Sequence, residues 1–123
     1  MKTCMVVDDS KIVRKVTRRM LESLHYHVVE AEQGEEALSV FSQHHPSLIL
    51  LDWHMPVMDG LAFIKVLRGG SVVGGEKPIV IFCTTETDIS NIQEAIVSGA
   101  NEYVMKPFDE DILKGKLLQL GVL

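Results

Sequence analysis

The sequence predicts an α/β fold: one five-stranded parallel sheet, doubly wound, with helices on both faces. Short runs rich in β-branched residues alternate with longer stretches of helical periodicity, five of each. That alternation is the mark of βα units joined by right-handed crossovers. Leu48-Ile49-Leu50-Leu51 and Ile79-Val80-Ile81-Phe82-Cys83 are wholly apolar, as strands covered on both faces must be. Several of these runs stop abruptly in polar residues, which sets one edge of the sheet apart from the other.

The first strand is expected over Thr3–Val7 and is followed by Asp8-Asp9. Ser10 is placed to cap the first helix, because its hydroxyl can accept from a free N–H of the first turn. Ile12, Val13, Val16, Met20, Leu21 and Leu24 follow the helical repeat behind it. His27–Ala31 is the second strand, and Ala37, Leu38 and Phe41 after Gly34 place the second helix. The third strand, residues 48–51, runs into Asp52. Asp59-Gly60 reads as a turn opening a third helix marked by Leu61, Ile64 and Leu67. Residues 69–75, Gly-Gly-Ser-Val-Val-Gly-Gly, lack a following helix start and the phosphate-loop lysine spacing, so they read as a flexible connection. Residues 78–83 form the fourth strand, Ile89, Ile92 and Ile96 the fourth helix, and Glu102–Met105 the fifth strand. Ile112, Leu113, Leu117 and Leu120 mark the fifth helix, which starts at Asp109. Gly115 weakens it by about 1 kcal/mol relative to alanine.

A chain of 123 residues is one domain with room for a core. Hydrophobic residues at 46% and charged residues at 24% are the balance of a soluble globular protein. No apolar run approaches the ~20 residues of a membrane span. Met1-Lys2-Thr3 leads into a strand without a signal-peptide apolar region. A cytoplasmic location and no membrane partner are therefore expected. The net charge of −5 argues against nucleic acid as the main partner. Cys4 and Cys83 fall inside strands and read as inert buried thiols rather than a disulfide.

Ligands of parallel α/β sheets bind outside the carboxyl ends of the strands. Asp8, Asp9, Asp52, Thr84 and Lys106 all follow or end apolar runs, and so share that edge. An acidic cluster needs a cation, and a lysine and a hydroxyl beside it suggest an anion bound to that cation, most simply a phosphoryl group. The edge reads as a magnesium-assisted phosphoryl acceptor site with Asp52 as nucleophile. Taken singly, each residue has a plainer reading. Asp8-Asp9 suits a strand-to-helix turn, Lys106 a solvated strand end, and Tyr103 a half-buried strand aromatic. Their convergence carries the functional reading.

The motifs Val6-Val7-Asp8-Asp9-Ser10, Leu51-Asp52-Trp53-His54-Met55-Pro56-Val57-Met58-Asp59-Gly60, Thr84-Thr85-Glu86 and Lys106-Pro107-Phe108 occur in this order, with Gly99-Ala100 and Tyr103 between the last two. On these residues the chain resembles a response-regulator receiver domain of the single-domain, CheY-like kind. The resemblance covers essentially the whole chain, and a single receiver domain over 1–123 without an output domain is expected. It implies the strand order 2-1-3-4-5, for which CheY and flavodoxin are the standard examples.

The resemblance also implies roles. Asp52 would accept the phosphoryl group. Asp9 and Asp52 would bind Mg2+ directly, the backbone carbonyl of His54 would be the third protein ligand, and Asp8 would act mainly through water. Lys106 would pair with a phosphoryl oxygen, or with Asp52 when no phosphate is present, and a cis bond to Pro107 would turn it toward the pocket. Thr84 would hydrogen-bond the phosphoryl group and Tyr103 would swing inward with it, a bistable element biased by new charge. His54 and Glu86 flank the pocket, where they would tune hydrolysis of the aspartyl phosphate. Trp53, beside Asp52, would report on the site by fluorescence.

The implied donor is a sensor histidine kinase or a histidine phosphotransfer protein. The implied readout surface is the fourth helix, fifth strand and fifth helix, about residues 87–120, which would present a downstream target with a switched face. The domain would be a monomer, and no enzyme beyond its own phosphorylation and dephosphorylation. Chemotaxis is the expected pathway, with a relay or a phosphate sink as the alternative. An aspartate-nucleophile phosphatase is disfavoured because Asp8-Asp9-Ser10 departs from its Asp-x-Asp pattern, and a flavin module because the acidic pair would repel the flavin phosphate. Lys11, Arg14, Lys15, Arg18 and Arg19 give the first helix a basic stripe. It is either a solvated face or the contact for an acidic kinase or phosphotransfer domain. His44 and His45 read as solvated, since neighbours on a helix point apart.

Overall fold

The computed structural model describes residues 1–85 and 89–123, Ile89 by its backbone alone. Strands β1 (Thr3–Val7), β2 (His27–Ala31), β3 (Leu48–Asp52), β4 (Ile79–Thr84) and β5 (Glu102–Met105) form one parallel sheet in the order β2-β1-β3-β4-β5. The helices are α1 (Lys11–Ser23), α2 (Gly34–His44), α3 (Gly60–Arg68), α4 (Ile92–Val97) and α5 (Glu110–Gln119). The expected fold class and strand order hold. β3 and β4 each run one residue further than expected, so Asp52 and Thr84 are themselves strand residues.

Successive strand residues point to opposite faces, and each face has its own core. Met5, Val7, Ile49, Leu51, Val80 and Phe82 pack with Ala37, Phe41, Phe63, Ile64 and Leu67 from α2 and α3. Cys4, Val6, Leu48, Leu50, Ile81 and Cys83 pack with Leu21 of α1 and with Leu113 and Leu117 of α5. Both cysteines are free and buried. Burial pushes the Cys83 thiol up to about 12 and raises Cys4 as well, so both are inert.

The chain begins mid-sheet, goes outward to β2, then returns past β1 to β3. That reversal puts the ends of β1 and β3 side by side. Val7 pairs with Leu51, Asp52 with Cys83 and Thr84 with Met105. The residues that follow converge at one edge.

α1 departs from its expected face. Ile12 and Val16 are 76% and 45% exposed, while Arg14 and Thr17 are buried. The buried stripe is Arg14, Thr17, Leu21 and Leu24, also at helical spacing but rotated from the apolar one. A charged residue can face inward here because Glu30 of β2 neutralises it at 2.9 Å. Arg14 therefore leaves the expected surface stripe; Lys11, Lys15 and Arg19 remain exposed.

α4 is shorter than its isoleucine spacing suggests. Residues Ile89–Asn91 form a 3-10 turn, and Asn91 makes no side-chain capping bond to the helix. Gly99, at φ 120°, closes the other end. Ile96 and Ile112 are exposed rather than core. His45 ends α2 at φ 44° with its ring edge-on to Phe41 at 5.4 Å, and both His44 and His45 are exposed. Glu86 and the beginning of the expected readout surface at residue 87 lie outside the described residues. Among the described residues, no helix is long and apolar enough to cross a membrane.

Candidate functional site

Asp8 stands one residue beyond the end of β1. Its N–H donates to the Ala31 carbonyl at 3.1 Å, and its Oδ1 accepts from the Ser10 N–H at 2.9 Å. Ser10 in turn caps α1, its hydroxyl accepting from the Val13 N–H at 3.3 Å. This local chemistry turns the chain sharply, leaving Asp8 only 4% exposed and Asp9 on the surface.

Asp52 ends β3 half-buried. The loop after it is held by the Gly60 N–H, which donates to the Trp53 carbonyl at 2.9 Å. Asp59 caps α3, accepting from the Ala62 N–H at 2.8 Å, the turn role expected of it. Oxygens of Asp8, Asp9 and Asp52 lie within 4.8 Å of one another.

Lys106 closes the cluster. Its Nζ donates to Asp8 Oδ2 at 2.7 Å and to Asp52 Oδ1 at 3.0 Å. The Lys106–Pro107 bond is cis, and the Lys106 N–H donates to the Thr84 carbonyl at 2.6 Å. The resemblance implied the Asp52 contact; the shorter one, to Asp8, is new. Burial pulls the Lys106 ammonium down, but the hydrogen bonds it donates to Asp8 and Asp52 outweigh that and hold the group above its ordinary value. Burial pushes Asp52 up, and Lys106 only partly pulls it back. Among the described residues, one ammonium against three carboxylates leaves the cluster short of positive charge.

An oxygen-only donor set at the mouth of an open depression of about 330 Å³, lined by Asp9, His54, Met55, Pro56 and Asp59, fits Mg2+. That ion takes a few carboxylates and keeps several waters. His54 is exposed at this mouth. Thr84 is buried, and its hydroxyl donates to the Thr85 carbonyl at 3.3 Å rather than to the carboxylates. The Tyr103 ring is half-buried, with Lys116 Nζ 5.2 Å from its centroid.

Two features were missed by sequence reasoning. Arg14 Nη1 donates to the Asp8 carbonyl at 2.7 Å, and the helical spacing of residues 14, 17, 21 and 24 was the signal that could have found it. A groove of about 430 Å³ also runs from Lys106 and Thr85 between Ile12, Val16 and Met20 of α1 and Phe108.

The sequence model of the response regulator receiver domain matches residues 4–118. Chemotaxis protein CheY1 of Helicobacter pylori is 38% identical over 115 residues, covering 92% of this chain and 91% of that protein. The probable transcriptional regulator ycf27 of Porphyridium aerugineum is 35% identical over 113 residues. The chain spans about half the length of the ycf27 relatives, 45% and 48% of them. The solved chemotaxis protein CheY4 of Vibrio cholerae superposes with a TM-score of 0.88 at 32% identity, over 100% of this chain and 99% of that one. With its strand order, its acidic cluster and its bridging lysine in place, the chain belongs to the response regulator receiver domain family.

Proposed function

We propose that this receiver domain is a Mg2+-dependent phosphoryl acceptor, with Asp52 as nucleophile and a phosphohistidine as donor. The observation that carries this reading is Lys106 bridging Asp8 and Asp52 beside Asp9. An Asp52 oxygen attacks phosphorus and forms an acyl phosphate. The P–N bond breaks, its electron pair leaving with the donor imidazole, which takes a proton from solvent. Asp8 holds Lys106 in place while Asp52 gives up its contact, so the ammonium can pair with a phosphoryl oxygen. Asp9, Asp52 and the His54 carbonyl would hold Mg2+ directly and Asp8 through water, and the ion would supply the positive charge that lets two anions meet. His54 and Glu86 tune the later hydrolysis.

Thr84 then turns its hydroxyl toward the new phosphoryl group, and the Tyr103 ring moves inward. The face of α4, β5 and α5 presents the result to a target protein. The donor, a sensor histidine kinase or histidine phosphotransfer protein, docks on the groove beside α1, whose exposed Lys11, Lys15 and Arg19 suit an acidic partner. The domain works as a cytoplasmic monomer, and its catalysis is limited to its own phosphorylation state. Chemotaxis is the favoured pathway because the Campylobacter jejuni and Helicobacter pylori CheY relatives are matched over 87% and 91% of their lengths. A relay or a phosphate sink is the second reading.

Incubation with acetyl phosphate and Mg2+, read by intact-protein mass, tests the chemistry. One phosphoryl group is expected on wild type and none on Asp52→Asn or without Mg2+. Full labelling of Asp52→Asn would overturn the assignment. Capture by the beryllofluoride-activated domain of a flagellar switch protein would support chemotaxis, and capture of kinases and phosphotransfer proteins alone the relay or sink.

A further inference from the structure

Arg14 is 7% exposed, and a guanidinium so placed is costly unless its donors are met. Nε donates to Glu30 Oε1 at 2.9 Å, Nη2 lies 3.5 Å from Glu32 Oε1, and Nη1 donates to the Asp8 carbonyl at 2.7 Å. The last pairs of β1 with its neighbours are at Val7. The Asp8 carbonyl lies beyond them and takes its partner from this side chain instead.

That carbonyl belongs to the peptide unit joining Asp8 to Asp9. The unit is planar, so a bond to its oxygen fixes the direction in which Asp9 leaves. Ser10 and Lys106 hold the Asp8 carboxylate, and Ala31 holds its N–H. Arg14 supplies the remaining restraint and ties it through Glu30 to β2.

We infer that Arg14 is a positioning residue for the acidic site: its guanidinium orients the Asp8–Asp9 peptide so that both carboxylates face the cation. This rests on the phosphoryl-acceptor reading. It has a sign that electrostatics alone does not share. Removing a positive charge near a cation site should tighten Mg2+ binding by Coulomb's law, whereas loss of positioning weakens it.

Mg2+ titrations followed by Trp53 fluorescence and by calorimetry, on variants shown folded by circular dichroism, test this. Arg14→Met should weaken Mg2+ binding by roughly 10-fold or more, the usual effect of losing a group that orients metal ligands. Arg14→Lys keeps the charge but loses the planar fork that spans Glu30 and the carbonyl, so it should weaken binding too, and it carries the test should Arg14→Met not fold. Arg18→Met removes the other arginine on Glu30 without touching Asp8, and should leave Mg2+ affinity at the wild-type value. Wild-type Mg2+ affinity in Arg14→Lys, or equal weakening by Arg18→Met, would overturn the role. A wild type without any Mg2+ response overturns the acceptor reading and this role together; a binding wild type with an equally tight Arg14→Lys overturns only the role of Arg14.

Discussion

Gly60 packs so closely on Asp52 that a Cβ added to it would collide with the Asp52 carbonyl oxygen and stand 2.9 Å from the Phe82 ring. The Asp52 backbone is thus wedged against the first residue of α3, and only a residue without a side chain fits. Gly60→Ala must push the end of β3 or the start of α3 aside. Such overpacking costs typically about 1–3 kcal/mol. The expected outcome is a lower urea midpoint together with slower phosphorylation by acetyl phosphate. A variant with the wild-type midpoint and rate would show that the contact relaxes freely.

The surplus of carboxylates gives a second expectation. With oxygens of Asp8, Asp9 and Asp52 within 4.8 Å and Lys106 the one cation bonded to them among the described residues, a cation that binds the folded state alone must stabilise it. At a concentration about 100 times its dissociation constant the gain is about 2.7 kcal/mol. Thermal melts with and without Mg2+ should show it in wild type, and Asp9→Asn should lose most of it. Asp9 is exposed and outside the Lys106 bridge, so this variant is expected to keep its fold. An undiminished Mg2+ shift in Asp9→Asn would remove Asp9 from the ligand set.

The site was more legible in the sequence than α1 was. Asp8, Asp9, Asp52 and Lys106 each follow or end a strand run, and in a parallel sheet strand ends share an edge, so local pattern alone brings them together. Arg14 was opaque because polarity places an arginine outside. Its partner Glu30 lies 16 residues away in sequence, and only the packing of α1 against β2 reveals the pair. Once Arg14 turns inward, Ile12 and Val16 turn outward and make the groove beside Lys106. α4 forms where it was expected, but it starts later than its spacing suggests, for a different reason. Its isoleucine spacing is helical, but Asn91 makes no side-chain capping bond, and Gly99 stops the helix, leaving a 3-10 turn and six helical residues.

Val57 sits at φ 67° and is 80% exposed, in the loop between Asp52 and α3. A β-branched residue in the left-handed region is an outlier, costing about 1–2 kcal/mol. Its exposure leaves little burial to offset that. Asparagine tolerates the same geometry, so Val57→Asn should raise stability by about 1 kcal/mol. The check is a higher urea midpoint at unchanged slope. A midpoint at or below wild type would mean that Val57 makes an apolar contact worth more than its strain.

Glu30 links this framework to pH. Burial works to raise its carboxyl, but hydrogen bonds from Arg18 and Arg14 outweigh burial and hold it below its ordinary value of 4.5. A carboxylate with a depressed folded-state value contributes stability that is fully present above the unfolded value. That contribution is lost as pH falls through the folded one. Glu30→Gln should therefore be less stable than wild type at neutral pH, and the gap should narrow as the pH drops below about 4.5. Urea midpoints of both proteins across that range provide the measurement. A gap that stays constant into acid would show that Glu30 acts through packing and neutral hydrogen bonds rather than through its charge, and that Arg14 is held in place by shape alone.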